Sequence, residues 1–410
     1  MTSKERIRSC WNGIQPDHVP LATWCFGVKP APEFVWTKDG VTVKHWYSMR
    51  MEHIHLLPEP WDLSDDFRRV LAWKSLGVDD ILDVSVPWSI DPAVSWTDTV
   101  IPAGQEDDHP VLVRKYTTPS GILRHAVRKT GEDPGEGWVI QPEYVPLIED
   151  YNIPRGVEHA VSTLSDVPVI AHLYRAPDST ARAWFHNRMA EIRPFAEEHG
   201  IAVQAWSAFG MDCIIWLTGV EGAVLMAVDD PVAFGRLADI IAEADYGRTE
   251  LACSHPAVDL IVQRGWYSST DFWSPGLFDQ FMLPHITELA GLAHRNGKKF
   301  GYTMTTGVET LGRRLVEAGV DVLYFIDPVQ DTISLETARD LLGGDMTLVG
   351  GINAVNLAVH NDAEVRDEVR RALDVLGPTN RFILQPVDAL FPDTPWKRVE
   401  TMIETWERYR

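Results

Sequence analysis

A small set of acids, hydroxyls and aromatics stands just past short, apolar, β-rich runs, and these are the residues that could carry chemistry in this chain. Asp388 follows FILQP. A carboxylate there could move a proton, hold a cationic substrate or bind metal, and the competing reading is a helix cap or loop salt bridge. Tyr267 and Ser268 follow VQRGW, with Asp271 shortly after, so two hydroxyls and an acid could orient a substrate or donate to a developing oxyanion. The same SSTD before FWSPGLF also reads as turn and capping chemistry, and no G-x-S-x-G makes the serine a nucleophile. Asp83 closes DDILD, where an inward-facing acid is costly unless used or paired; Asp79 and Asp80 compete for that place. Trp24, Trp206, Trp216, Trp266 and Trp273 lie in or after strand runs. Each alone is ordinary core, but several at one mouth would line an apolar cavity.

Metal chemistry has little support. His53 and His55 form an H-x-H pair and His172 ends another run, yet no third ligand stands in register. Cys10, Cys25, Cys213 and Cys253 lie far apart without a C-x-x-C pair, which argues against a zinc ribbon or a disulfide framework.

The elements that must position these residues are clearest in the C-terminal half. There DLIVQRGW, KKFGYTM, VDVLYFID, TLVGGIN and FILQP alternate with helical patterns, the signature of a parallel sheet with helices outside. Val308, Leu311 and Leu315 fall on one helix face, as do Val365, Val369, Leu373 and Leu376. Upstream, 19–24, 79–87, 168–174 and 201–208 also read as strands, giving nine candidates where a (β/α)8 barrel takes eight. Between about 95 and 145 the pattern changes to short strands and turns, read as a β-hairpin insertion over one end of the barrel. With no repeat or linker, 1–410 reads as one domain with an N-terminal extension.

The 37 Lys and Arg against 59 Asp and Glu give a net charge of −22, a field that repels phosphate backbones and anionic membranes, so no nucleic-acid or membrane partner is expected. No apolar run approaches the roughly 20 residues of a membrane span, and the polar N-terminus does not read as a secretory leader, so a cytoplasmic protein is expected. A homodimer is allowed by the sequence and not required by it.

The opening SKERIRSCWNGIQPDHVPL, the segment WYSSTDFWSPGLFDQFMLPHI, the unit EAGVDVLYFIDPVQ and the close FILQPVDALFPDTP, taken as an ordered set, resemble the uroporphyrinogen decarboxylase superfamily. That superfamily also holds corrinoid-linked methyltransferases. The resemblance implies a (β/α)8 TIM barrel and drops 168–174 from the strands. Where the decarboxylases carry an Arg-rich segment for substrate carboxylates, this chain has WCFGVKPAPEF, with only Lys29. The family's pocket Tyr, Ser and C-terminal His stand at Thr218, Ser268 and Asp388, its substrate acid at Asp83, and the Asp of its Asn-Leu-Asp-Pro turn at Asn353. The zinc-binding His-x-Cys and Cys of the thiol-activating methyltransferases stand at Thr303, Thr305 and Asp388. Thr is a poor zinc ligand, so zinc and a thiol acceptor such as coenzyme M are not expected.

These readings lead to methyl transfer from a small methylated compound, such as an aryl methyl ether, to a separate corrinoid protein. Asp388, Ser268, Asp83 and Asp271 are the catalytic candidates, with Tyr267, Thr303, Thr305, Thr218, Asn353, Trp24 and Trp206 around the substrate and no tightly bound cofactor. The aromatic excess and the long insertion with TTPSG favour this branch. A cofactor-free decarboxylase or other lyase acting on an aromatic acid is the alternative, and a barrel that binds a ligand without turnover is a third.

Overall fold

The computed structural model describes residues 1–24, 36–38, 41–43, 63–104, 107–129, 145–150, 152–391 and 394–410. Cys25, Lys29, His53, His55 and the GEDPGEG loop lie outside the described residues. In chain order the strands are β1 (Trp36–Lys38), β2 (Val41–Val43), β3 (Ile81–Ser85), β4 (Ser95–Ile101), β5 (Val111–Thr118), β6 (Gly121–Arg128), β7 (Gly156–Glu158), β8 (Ala202–Ala208), β9 (Leu260–Gln263), β10 (Lys299–Thr303), β11 (Val322–Ile326), β12 (Thr347–Asn353) and β13 (Phe382–Val387).

Seven of them form one parallel sheet in the order β13, β12, β11, β10, β9, β8, β3. The sheet is curled, since Tyr324 on β11 donates through its hydroxyl to Gln204 on β8 at 2.5 Å, although two strands separate them. The expected first strand, 19–24, is irregular but bonded on both sides. Leu384 N–H donates to Pro20 O (2.9 Å) and Ala22 N–H to Leu384 O (3.0 Å), while Asp79 N–H reaches Leu21 O (2.7 Å) from the other edge.

Alternating strand and helix positions build two apolar layers. Val308, Leu311 and Leu315 of helix Val308–Glu317, and Val365, Val369, Leu373 and Leu376 of helix Asp362–Leu376, are buried against the outside of the sheet, as their spacing predicts. The inner layer fills the curl with Ala202, Leu260, Val322, Val349 and Ile383, joined by Ile7, Cys10 and Trp11 from helix Ser3–Trp11. That helix closes the N-terminal end: Lys4 N–H donates to Gly200 O (2.8 Å) and Thr347 Oγ1 to Cys10 O (2.8 Å). The strand C-terminal ends are left for chemistry, which is where parallel α/β folds place it.

The 168–174 run is the helix Val167–Leu173, with Pro168 in its first turn. Val167, Ile170 and Leu173 recur at i+3 and are buried, so the run satisfies helical burial as readily as a strand would, and a seven-residue apolar stretch does not distinguish the two. His172 thus sits in a last helical turn rather than at a strand end. The 95–145 segment forms an antiparallel sheet in the order β4, β5, β6, β7, extending to Gly156–Glu158 past the expected boundary. No single helix among the described residues is long and apolar enough to cross a membrane.

Candidate active site

At the strand C-terminal ends the aromatic side chains gather. The rings of Trp24 and Trp206 stack at 5.1 Å and 5°, Trp24 and Trp266 at 5.5 Å and 23°, and Trp206 and Trp266 at 5.9 Å and 20°. Phe325 joins at 5.6 Å from Trp24 and 5.3 Å from Trp266. Strand alternation would send Tyr324 and Phe325 to opposite faces, but the β11 to β12 register shifts between Tyr324 and Ile326 and Phe325 takes φ 78°, so both rings face the interior. A positive φ on an aromatic residue is costly, and its occurrence beside a cleft fits a site that uses the ring.

A carboxyl group stands at each of two indole N–H groups. Trp206 Nε1 donates to Asp83 Oδ1 at 2.8 Å, and Trp266 Nε1 donates to Asp388 Oδ1 at 3.3 Å. Asp83 also accepts from the amide of Gln204, its in-register partner across β3 and β8. Burial pushes both acids up to about 7, against the lowering pull of the indole bonds. Near neutral pH each therefore populates the acid form that an ordinary carboxyl lacks. Against the rings of Trp24, Trp206 and Phe325 lies a narrow cleft whose lining also includes Thr23, Asp83, Gln204 and Gln385.

Beside Asp388 a second polar cluster forms around Arg264, which the sequence reading did not single out. Its guanidinium donates to Asp150 Oδ2 (2.8 Å) and Asp212 Oδ2 (3.1 Å), and packs over the rings of Trp266 (4.3 Å) and Trp216 (4.8 Å). Trp216 Nε1 donates to Asp150 Oδ1 at 2.7 Å. Asp212 is fully buried and pushed by desolvation up to about 7, with Arg264 opposing. Arg264 lies one residue past β9 and Asp212 shortly past β8, so both met the strand-end criterion applied to the other candidates.

The remaining expected residues fall into two groups. Tyr267 is at the mouth, its hydroxyl 3.4 Å from Asp150 Oδ1 and its N–H on Asp212 Oδ1 at 3.0 Å. Asp271 is exposed and accepts from Thr306 Oγ1 at 2.6 Å. Thr305 is buried close by. By contrast, Thr303 Oγ1 accepts from Gly265 N–H (2.9 Å), Thr218 Oγ1 contacts the carbonyls of Ile214 (2.8 Å) and Gly219 (2.9 Å), and Asn353 caps helix Ala354–Val359 while its amide donates to Asp327 Oδ2 (2.7 Å). These three polar groups are engaged with their own surroundings. Ser268 is fully buried, with Oγ 2.6 Å from Gly265 O and 2.5 Å from the Tyr302 hydroxyl. Ser268→Ala strands the Tyr302 hydroxyl, so a stability loss of about 1 to 3 kcal/mol is expected, with turnover changed little; denaturant unfolding beside a rate measurement checks it.

His172 lies in a hydrogen-bonded row with Nδ1 2.9 Å from Asp91 Oδ2 and Nε2 2.8 Å from Ser120 Oγ, which ties the β5 to β6 turn to the loop after β3. Among the described residues no group of three His, Cys, Asp or Glu could hold a metal ion. The positions of the family's zinc ligands do not fit that ion, because the Thr303 hydroxyl is committed to Gly265 and neutral hydroxyls bind zinc weakly. Elemental analysis of protein purified without added metal should find well under one zinc per chain; a stoichiometric, chelator-resistant zinc would overturn that assignment.

Among solved structures, a methyltransferase from Methanosarcina mazei superposes with a TM-score of 0.57 at 15% identity, covering 100% of this chain and 99% of that one, a likeness of fold. A putative fructose-1,6-biphosphate aldolase from Coccidioides immitis is 13% identical over 60% of this chain and 85% of its own, with a TM-score of 0.27, too low to carry an argument. No curated protein matches. Residues 200–409 match the family described as Uroporphyrinogen decarboxylase (URO-D), a stretch that holds Trp206, Asp212, Arg264, Trp266 and Asp388. With more than half of its 410 residues matched, this chain belongs to the uroporphyrinogen decarboxylase family.

Proposed function

We propose that this chain removes the methyl group of a small aryl methyl ether and passes it to a reduced corrinoid held by a separate protein. On this reading the fold is a (β/α)8 barrel, one domain over 1–410, in which 19–24 completes the ring between β13 and β3 and the β4 to β7 sheet caps the mouth. The observation that carries the reaction is Asp388: a carboxyl with a pKa of about 7, hydrogen-bonded to Trp266 within a stack of parallel indoles. Flat indole faces suit a flat aromatic ring. An aryloxide is a poor leaving group, so the ether needs an acid. As the methyl C–O bond breaks, its electron pair stays on oxygen and the Asp388 proton moves to that oxygen, giving the phenol. The reduced corrinoid supplies the electron pair of the new bond to the methyl group. Asp83 holds the substrate deeper in the cleft, and Tyr267 and Asp212 line the approach to Asp388.

Family membership favours a second reading, decarboxylation of an aryl acid with Asp388 or Asp83 returning the proton to carbon. Its difficulty is charge. Asp83 and Asp388 have no cation in hydrogen-bond contact among the described residues, and Arg264 is bonded to Asp150 and Asp212. A substrate carboxylate would enter a cleft that offers it carboxyl groups. The experiment is a panel of methoxyarenes and aryl carboxylates, each incubated with and without cob(I)alamin. Methylcobalamin and a phenol in equal amounts support methyl transfer, carbon dioxide without corrinoid supports the second reading, and no product from either set leaves a binding barrel.

A further inference from the structure

The same cleft carries information about the charge of its occupant, and the inference rests on the methyl-transfer reading while refining it. Four observations converge. Asp83, set two residues inside the end of β3, is held by the Trp206 indole at 2.8 Å and the Gln204 amide, both neutral donors. Asp388, past the end of β13, is held by the Trp266 indole. The nearby cations are engaged elsewhere: Arg69 bonds Asp80 at 2.5 Å, and Arg264 bonds Asp150 and Asp212. Finally, the Thr23 side chain lines the cleft at 5% exposure, and its hydroxyl has no hydrogen-bond partner among the described residues.

A buried hydroxyl without a partner and buried carboxyls without a contacting cation are both costly, and one kind of guest relieves both. An ammonium group brings three donors and a positive charge; it can meet the Asp83 carboxylate and the Thr23 oxygen together, with Gln385 as a further acceptor in the same lining. The indole faces favour a cation as well as an aromatic ring. An anionic guest would meet Asp83 and Asp388 with no basic group among the described residues in contact with them to offset its desolvation.

We propose that the natural methyl donor is an aryl methyl ether carrying an ammonium group, seated on the indoles with its cation at Asp83 and its ether oxygen at Asp388. The two acids then have separate tasks: the deep one is a counter-ion and the outer one a proton donor.

The test uses three compounds of one shape: a methoxyphenylethylamine, the corresponding methoxyphenylethanol and the corresponding methoxyphenylacetate. Binding is read by tryptophan fluorescence at 0.15 M salt without corrinoid, so the result does not depend on methyl transfer. The amine should bind at least 10-fold tighter than the alcohol, and the acid should bind most weakly. Asp83→Asn should bring the amine and alcohol within about 2-fold of each other, while the overall charge of the protein changes by only one unit. Thr23→Val, a near-isosteric change that keeps every carboxyl, should weaken the amine more than the alcohol. Equal binding of amine and alcohol by the parent protein, tightest binding of the acid, or an amine preference that survives Asp83→Asn would overturn the proposal. Amine-selective binding with no methylcobalamin formed from any of the three would leave the charge preference standing and sink the methyl-transfer reading; methyl transfer with no amine preference would do the reverse.

Discussion

Asp388→Asn should fold normally, bind substrate nearly as before and lose at least about 100-fold in kcat, the usual scale for removing a general acid. The amide can still accept the Trp266 N–H, so the 3.3 Å contact survives while the transferable proton does not. The pH dependence gives an independent check. Burial raises the Asp388 carboxyl to about 7, and its acid form is the active one, so kcat of the parent protein should be level below that pH and fall about tenfold per unit above it. In Asp388→Asn the residual rate should lack this limb. Stability gives a second check on the same carboxyl. A carboxyl whose folded pKa lies above its unfolded value holds its proton preferentially in the folded state, so the parent loses stability between about pH 4 and pH 7. Asp388→Asn removes that share, on the order of a few kcal/mol at most, and its melting temperature should gain on the parent as pH rises. A turnover-competent Asp388→Asn with an unaltered pH profile would take the residue out of the mechanism.

The largest expected loss of stability is at Arg264. Arg264→Met keeps an unbranched, apolar stem over the Trp216 and Trp266 rings but leaves Asp212 and Asp150 without the guanidinium that bonds both. Breaking a buried pair from one side costs about 3 to 5 kcal/mol. Asp212 is already raised to about 7 and would rise further without its cation. It can then escape part of the cost by staying protonated, so the destabilisation should be smaller at pH 6 than at pH 8.5. Adding Asp212→Asn should recover much of the loss at the higher pH, since the buried group is then neutral. Chemical denaturation of the two single variants and the double variant at both pH values measures this coupling; a loss at Arg264→Met independent of both pH and residue 212 would mean that packing, not charge, is what the arginine provides.

Much of the candidate site was legible because parallel α/β folds place their chemistry where strands stop. That criterion points to Asp388 and Tyr267, and position within an inward-facing strand points to Asp83; Asp83 lines the cleft, Asp388 lies against Trp266, and the Tyr267 hydroxyl lies 3.4 Å from Asp150. Ser268 met the same criterion and lies buried against Tyr302, because the short helical turn Trp266–Ser268 rotates it away from Tyr267. Strand ends indicate which residues are near the mouth but not which way a following turn aims them. Arg264 and Asp212 passed unremarked because their partners are distant in sequence: Arg264 lies 52 residues from Asp212 and 114 from Asp150.

By itself the sequence determined the alternation of strand and helix from β8 onward, the helix faces laid on the sheet, the antiparallel insertion and the acidic character of the mouth. These follow from short-range periodicity and side-chain type, which act within a few residues. Tertiary structure decided the rest. It made 168–174 a helix, since a short apolar run takes whichever conformation the surrounding surfaces bury best. It turned Phe325 inward at φ 78° against strand alternation, where its ring packs against Trp24, Trp266 and Tyr324. Strand pairing set Gln204 beside Asp83, and the curl of the sheet brought Tyr324 to Gln204 and Trp266 to Asp388, because a curled surface puts residues opposite one another whose separation along the chain carries no signal.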